Sequence, residues 1–127
     1  MNKEIINTSS APEPIGPYSQ AVKAGGFLFL SGQVALKPGT GELVTTNITE
    51  ETTQVMENLQ AVLSEAGLNF SHIVKTTIFL KEMSSFAEVN AIYGKYFEND
   101  FPARETVAVK TLPKDVNVEI SMIAVAG

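Results

Sequence analysis

The spacing of apolar residues changes several times along the chain, and each change marks an element. "KEIIN" (3–7) reads as a short strand, closed by "TSSAPEPIGP", whose three prolines and one glycine make a loop. "YSQAVKA" and "FLFLSGQV" read as two strands joined by Gly25-Gly26, a tight-hairpin signal, and "KPGTGE" marks another turn. A helical period follows. Val55, Met56, Leu59, Val62, Leu63 and Ala66 form one stripe, with Asn47 as N-cap, Glu50 at the third helical position as in a capping box, and Gly67 as the C-terminal stop.

"HIVKTTIFL" (72–80) returns to strand, being rich in β-branched residues. A second helix is predicted from about Ser84 to Glu98. Phe86, Val89, Tyr93, Tyr96 and Phe97 line one side of it, and Glu88, Asn90 and Lys95 fall elsewhere. Two final strands, 104–110 and 116–125, flank "TLPKD".

Strands, helix, strand, helix, strands is the order of an α+β or split βαβ fold: a single domain over 1–127, with both helices covering one face of one sheet. A right-handed crossover would connect strand 72–80 to strand 104–110 through the second helix. In the last strand Val116, Val118, Ile120, Met122 and Ala124 point one way, and Asn117, Glu119, Ser121, Ile123 and Val125 the other. The second set is too apolar at its end for water, which calls for an oligomer that packs sheet faces together.

Composition narrows the classes. A chain of 127 residues with 44% apolar and 18% charged residues is an ordinary globular domain. A net charge of −5, with nine scattered Lys and Arg, speaks against nucleic-acid partners, which need a concentrated basic patch. The absence of cysteine excludes disulfides and thiolate chemistry. No apolar run suits a signal peptide or a membrane span, so a cytoplasmic protein is expected.

Arg104, at the start of a strand in "FPAR", offers a planar fork that matches a carboxylate; its ordinary role would be a salt bridge to Glu105 or Asp100. Glu119 sits mid-strand, either on a solvated face or, if that face is covered, as an acid or base with a perturbed pKa. Tyr18 in "GPYSQ" has a similar ambiguity, since a tyrosine at a strand start ordinarily packs its ring and lets its hydroxyl find a backbone partner. Gly32, beside Ser31 in "SGQ", marks a bulge or a close approach to the backbone N–H. His72 is the only histidine and lacks triad partners, and neither metal-ligand spacing nor a phosphate-binding loop is present. From spacing alone the chain is an α+β oligomer of undefined activity.

Taken together, "IGPYSQAV", "LFLSGQVAL", "NLQAVLSEAG", "VKTTIFLKEMSSFAEVNAIYGKYF", "FPAR" and "LPKDVNVEISMIAV" resemble the RidA (YjgF) family, from about Ile6 to Ala126. The resemblance implies a chorismate-mutase-like fold, a homotrimer with a central barrel, and a ligand site between subunits. It further implies cofactor-free hydrolysis of 2-enamine and 2-imino acids, such as 2-iminobutanoate and 2-iminopropanoate, to 2-oxo acids and ammonia. Arg104 would then hold the substrate carboxylate, Glu119 would position water and shuttle protons, and Tyr18 would line the cleft. Gly32 would offer its N–H with Ser31 beside it, and Asn90 matches a polar position near the site. Thr106 replaces a cysteine common in the family, whose contact there is partly through the backbone N–H. A trimer that senses 2-oxo acids without turnover is the alternative; RNA cleavage and chaperone roles are disfavoured by charge or need exposed apolar surface.

Overall fold

The computed structural model describes residues 2–126. Six strands form one mixed sheet: β1 (Glu4–Ile6), β2 (Ala21–Ala24), β3 (Phe27–Gln33), β4 (Ile73–Leu80), β5 (Ala103–Ala108) and β6 (Val118–Val125). Helix α1 (Ile48–Glu65) lies between β3 and β4, and α2 (Phe86–Gly94) between β4 and β5. The spatial order is β1-β2-β3-β6-β4-β5, antiparallel throughout except for the β4–β5 pair. Since β3 and β4 both run antiparallel to β6, they are parallel to each other with β6 inserted between them, which is the split βαβ arrangement expected.

Local chemistry explains the element ends. Gly25 and Gly26 both have positive φ (60° and 83°), so the β2–β3 hairpin closes in two residues with Ala24 opposite Phe27. The Asn47 side chain accepts the Glu50 amide at 2.8 Å, but the Glu50 carboxylate accepts from Asn47 Nδ2 (2.9 Å) rather than from its backbone, so the predicted box closes side chain to side chain. After α1, the N–H groups of Gly67 and Leu68 donate to Ser64 and Leu63, each at 2.9 Å, with Gly67 at φ 75°: a full Schellman stop.

The predicted boundaries shift in four places. "YSQ" stays outside β2, because the buried Gln20 amide accepts from Thr8 N and donates to the Thr8 and Pro12 carbonyls, which ties this segment to the loop over residues 8–12. Helix α2 starts after a 3₁₀ turn, Met83–Ser85, and ends at Gly94, not near Glu98. Tyr96 and Phe97 leave it to pack on Phe70, their ring centroids 5.2 and 5.5 Å from its ring, and Tyr96 donates to Glu57. β5 stops at Ala108, and β6 begins at Val118, where the chain leaves the Pro113–Asp115 turn. In that turn Lys114 and Asp115 both have positive φ (56° and 55°).

One face of the sheet meets the helices. Leu28, Leu30, Ile78, Leu80, Val118, Ile120, Met122 and Ala124 pack there against Val55, Met56, Leu59, Val62 and Leu63 of α1, each large side chain contributing roughly 1.5–3 kcal/mol by leaving water. The opposite face is open. Ile5, Phe27, Phe29, Val107 and Val125 are exposed on it, an apolar surface of the kind the last strand predicts.

A buried carboxylate from α1 pins the start of β6. Glu51 accepts the backbone N–H of Asn117 (2.8 Å) and of Val118 (3.1 Å) and the Asn117 side-chain amide (2.8 Å). Those bonds orient the segment that carries Glu119.

Candidate functional site

The β3–β6 ladder slips between Leu30 and Gln33: Leu30 faces Met122 and Gln33 faces Ile120, so Ser31 and Gly32 share one position opposite Ser121. Such a bulge re-aims side chains. Here it turns the Ser31 hydroxyl to donate to the Ser19 carbonyl at 2.6 Å, while the Ser31 N–H donates to the Gln20 carbonyl at 3.0 Å. Ser31 thereby fastens the segment bearing Tyr18.

Gly32 faces Glu119. A methyl group on Gly32 would overlap Glu119 Oε2 and lie 2.9 Å from its Cδ, so the glycine makes room for the carboxylate. The bulge reading of "SGQ" is thus observed, and the space left by the missing side chain is taken by Glu119. Glu119 is half-buried, with Phe79 as its neighbour on β4. Burial pushes its carboxyl above the ordinary value of 4.5. It lies in a cavity of about 460 Å³ also lined by Tyr18, Gly32, Gln20, Ile15 and Lys114. Tyr18 is 54% exposed at the cavity mouth.

Arg104 lies elsewhere. It pairs with Thr76 of β4, on the helix-facing side of the sheet, whereas Glu119 pairs with Phe79 on the open side. Residues 76 and 79 of one strand point to opposite faces. Arg104 is thus on the edge strand, its Cζ 5.1 Å from the Tyr93 ring centroid and 5.6 Å from that of Phe86, and its Nη1 donates to Asn90 Oδ1 at 2.7 Å. Phe86, Asn90 and Tyr93 occupy i, i+4 and i+7 of α2, within about 60° of arc. Asn90 therefore borders the apolar stripe instead of lying away from it, and Phe86 and Tyr93, read from sequence only as core residues, also hold the arginine.

Neither suggested partner of Arg104 is used. Glu105 points to the open face, where it accepts from the Thr77 hydroxyl (2.6 Å) and pairs with Lys75 (3.3 Å). Those two contacts, the hydroxyl first, lower its pKa. Thr106 shares the face of Arg104, and its hydroxyl is buried without a hydrogen-bond partner among the described residues. His72 Nδ1 accepts the Asn69 N–H (3.1 Å) and so closes a capping box on a 3₁₀ turn, a structural role. Among the described residues no group of three or more His, Cys, Asp or Glu side chains is placed to hold a metal ion, and no helix is long and apolar enough to cross a membrane.

The seven candidate residues fall into two separate groups: Tyr18, Gly32 and Glu119 lining the cavity with Ser31 next to Gly32 in the bulge, and Asn90, Arg104 and Thr106 on the helix side of the β5 edge. Gln20, whose buried amide shapes the cavity wall, was not singled out from sequence, where a glutamine two residues after a tyrosine carries no distinguishing signal.

A mixed six-stranded sheet under two helices, with a half-buried carboxylate over a glycine bulge and an arginine over two aromatic rings at the sheet edge, defines a class of small α+β proteins. The chain belongs to the RidA (YjgF) family: residues 8–126 match the family described as Endoribonuclease L-PSP. It is 51% identical over 122 residues to a RutC family protein of Pyrococcus horikoshii, covering 96% of this chain and 97% of the relative. It is 45% identical over 125 residues to the 2-iminobutanoate/2-iminopropanoate deaminase of Mus musculus, covering 98% and 93%. Its fold superposes on that of a Rid family protein of Yersinia pestis with a TM-score of 0.94 at 48% identity, covering 97% of this chain and 98% of the other.

Proposed function

We propose that this protein hydrolyses 2-imino acids, and the 2-enamine acids in equilibrium with them, to 2-oxo acids and ammonia, at sites assembled between subunits of a homotrimer. The carrying observation is the Glu119 carboxylate, held half-buried against Gly32 with its pKa raised, in a cavity large enough for a four-carbon acid. The separation of Arg104 from Glu119 supports a composite site, because one chain alone does not bring the clamp and the carboxylate together. The open apolar sheet face supplies a surface for the association.

In this reading Arg104 binds the substrate carboxylate bidentately with the donors not given to Asn90. Water held by Glu119 attacks C2 of the protonated imine. The new C–O bond forms as the C=N π pair moves to nitrogen, and Glu119 accepts the proton that water releases. Glu119 then returns that proton to nitrogen, the C–N bond breaks, and ammonia leaves as the hydroxyl gives its proton back to Glu119 and becomes the carbonyl. Glu119 finally passes that proton to the departing ammonia. A carboxyl with a raised pKa is suited to giving the proton back near neutrality. The protonated imine is already electrophilic, so orientation and charge neutralisation carry the reaction without a cofactor.

The test times 2-oxobutanoate appearance while a threonine dehydratase generates 2-aminocrotonate and 2-iminobutanoate. Wild type accelerates it, and Arg104→Ala or Glu119→Ala abolishes the gain. Co-refolding the two inactive variants restores about a quarter of wild-type activity, because each composite site then draws both intact halves by chance. Binding of 2-oxobutanoate without any acceleration by wild type would favour the sensing trimer instead.

A further inference from the structure

The face of α2 that meets the sheet edge does more than fill space. We propose that Tyr93 is a positioning residue for Arg104: its ring supports the guanidinium, and its hydroxyl, bonded to Thr76, locks that ring to the strand beside Arg104. The inference rests on reading Arg104 as the carboxylate clamp, and it assigns the group that gives the clamp its direction.

Thr76 is fully buried on a face otherwise built from Ile73, Ile78 and Leu80, so its hydroxyl is the one polar side-chain group of that strand face. Its hydroxyl has one use there, to accept the Tyr93 O–H at 3.0 Å. Thr76 is also the residue in register with Arg104 on the neighbouring strand. Tyr93, Thr76 and Arg104 thus close a ring of contacts: hydroxyl to hydroxyl, strand to strand, and guanidinium to aromatic face at 5.1 Å. Phe97 braces the Tyr93 ring at 4.8 Å and itself rests on Phe70.

The other two neighbours of Arg104 are less constrained, Phe86 being half-buried and Asn90 exposed, while Tyr93 is 4% exposed. Burial also raises the Tyr93 pKa, which keeps the hydroxyl a donor. A long side chain on an edge strand otherwise samples several rotamers. Stacking on a fixed ring removes that freedom before ligand arrives and leaves most of its five N–H donors free for a carboxylate.

Six variants of the full protein test this: Tyr93→Leu, Tyr93→Phe, Thr76→Val, the double variant Tyr93→Phe/Thr76→Val, and Arg104→Ala with and without Tyr93→Leu. The readouts are KM and kcat, the Kd of unreactive 2-oxobutanoate, and the Arg104 Nε–H resonance in a ¹H–¹⁵N spectrum. Tyr93→Leu is expected to raise KM and Kd about fivefold to tenfold with kcat changed less than about twofold, and to move the Arg104 resonance. Tyr93→Phe and Thr76→Val each raise them about twofold to threefold, and the double variant is no worse than either, since both remove one bond. In an Arg104→Ala background, Tyr93→Leu adds no further loss of binding. An unchanged Arg104 resonance and Kd in folded Tyr93→Phe and Tyr93→Leu overturns the proposal, as does an equal loss in the Arg104→Ala background. If wild type fails to hydrolyse imines yet Tyr93→Phe still moves the Arg104 resonance, the deaminase reading falls and the positioning role stands.

Discussion

Replacing Gly32 by alanine separates fold from chemistry at a single atom. The backbone at Gly32 lies outside the positive-φ region, so alanine is conformationally allowed. Its methyl would overlap Glu119 Oε2 and lie 2.9 Å from Cδ and 3.1 Å from Cγ, closer than carbon atoms approach in a packed protein. The three nearest atoms all belong to one flexible side chain, so Glu119 rotates away and the sheet stays. Forcing a side chain off its preferred rotamer costs about 0.5–1.5 kcal/mol. The loss of backbone freedom in the unfolded chain returns about 0.4–1 kcal/mol. The net change is within about 1 kcal/mol, a Tm shift of no more than about 5 °C at this size. Displacing the carboxylate by about 1 Å lowers the rate on the order of a hundredfold. Differential scanning calorimetry and the coupled 2-oxobutanoate assay read the two quantities independently. A Gly32→Ala variant within threefold of the wild-type rate in that assay refutes the seating of Glu119 on Gly32. A collapse of Tm with the carboxylate unmoved shows instead that the glycine serves the backbone.

Three further outcomes follow from the geometry. Glu51→Ala strips an acceptor from two backbone N–H groups and the Asn117 amide; a loss of about 3–5 kcal/mol is expected, read as a Tm fall of roughly 10 °C or more, and a fall of under a few degrees would show that water replaces the clip. Because burial raises the folded pKa of Glu119 above 4.5, the folded state keeps this proton longer than the unfolded chain does. Its contribution to stability is full below that value and is lost as pH rises through the folded pKa. Glu119→Gln therefore flattens the decline of Tm with pH above 4.5, and an unchanged slope would contradict it. Thr106→Val removes a buried hydroxyl that has no partner, so stability holds or rises by up to about 1–2 kcal/mol in urea unfolding, and activity is retained if the ligand contact there is the backbone N–H.

Local pattern was sufficient wherever the deciding interactions lie within a few residues. The Gly25-Gly26 hairpin, the Asn47 cap, the stop at Gly67 and all six strands were legible because turn chemistry and periodicity are properties of short segments. The family motifs also marked Arg104 and Glu119 as the residues to watch. The end of α2 was not legible, because Tyr96 and Phe97 continue the helical period yet are drawn off by Phe70 and Glu57, which lie 26 to 39 positions earlier. The cradle was hidden as well, since nothing local says that Phe86, Asn90 and Tyr93 will meet an arginine from a later strand.

Sequence by itself thus determined the elements, the alternation of each strand and the chemistry available on it. Only the tertiary structure decided that Arg104 and Glu119 point to opposite faces of one sheet. That outcome depends on register, Thr76 beside Arg104 and Phe79 beside Glu119, and register is set by pairing between distant segments. A slip of one residue would turn either side chain to the other face without altering the alternation of a single strand.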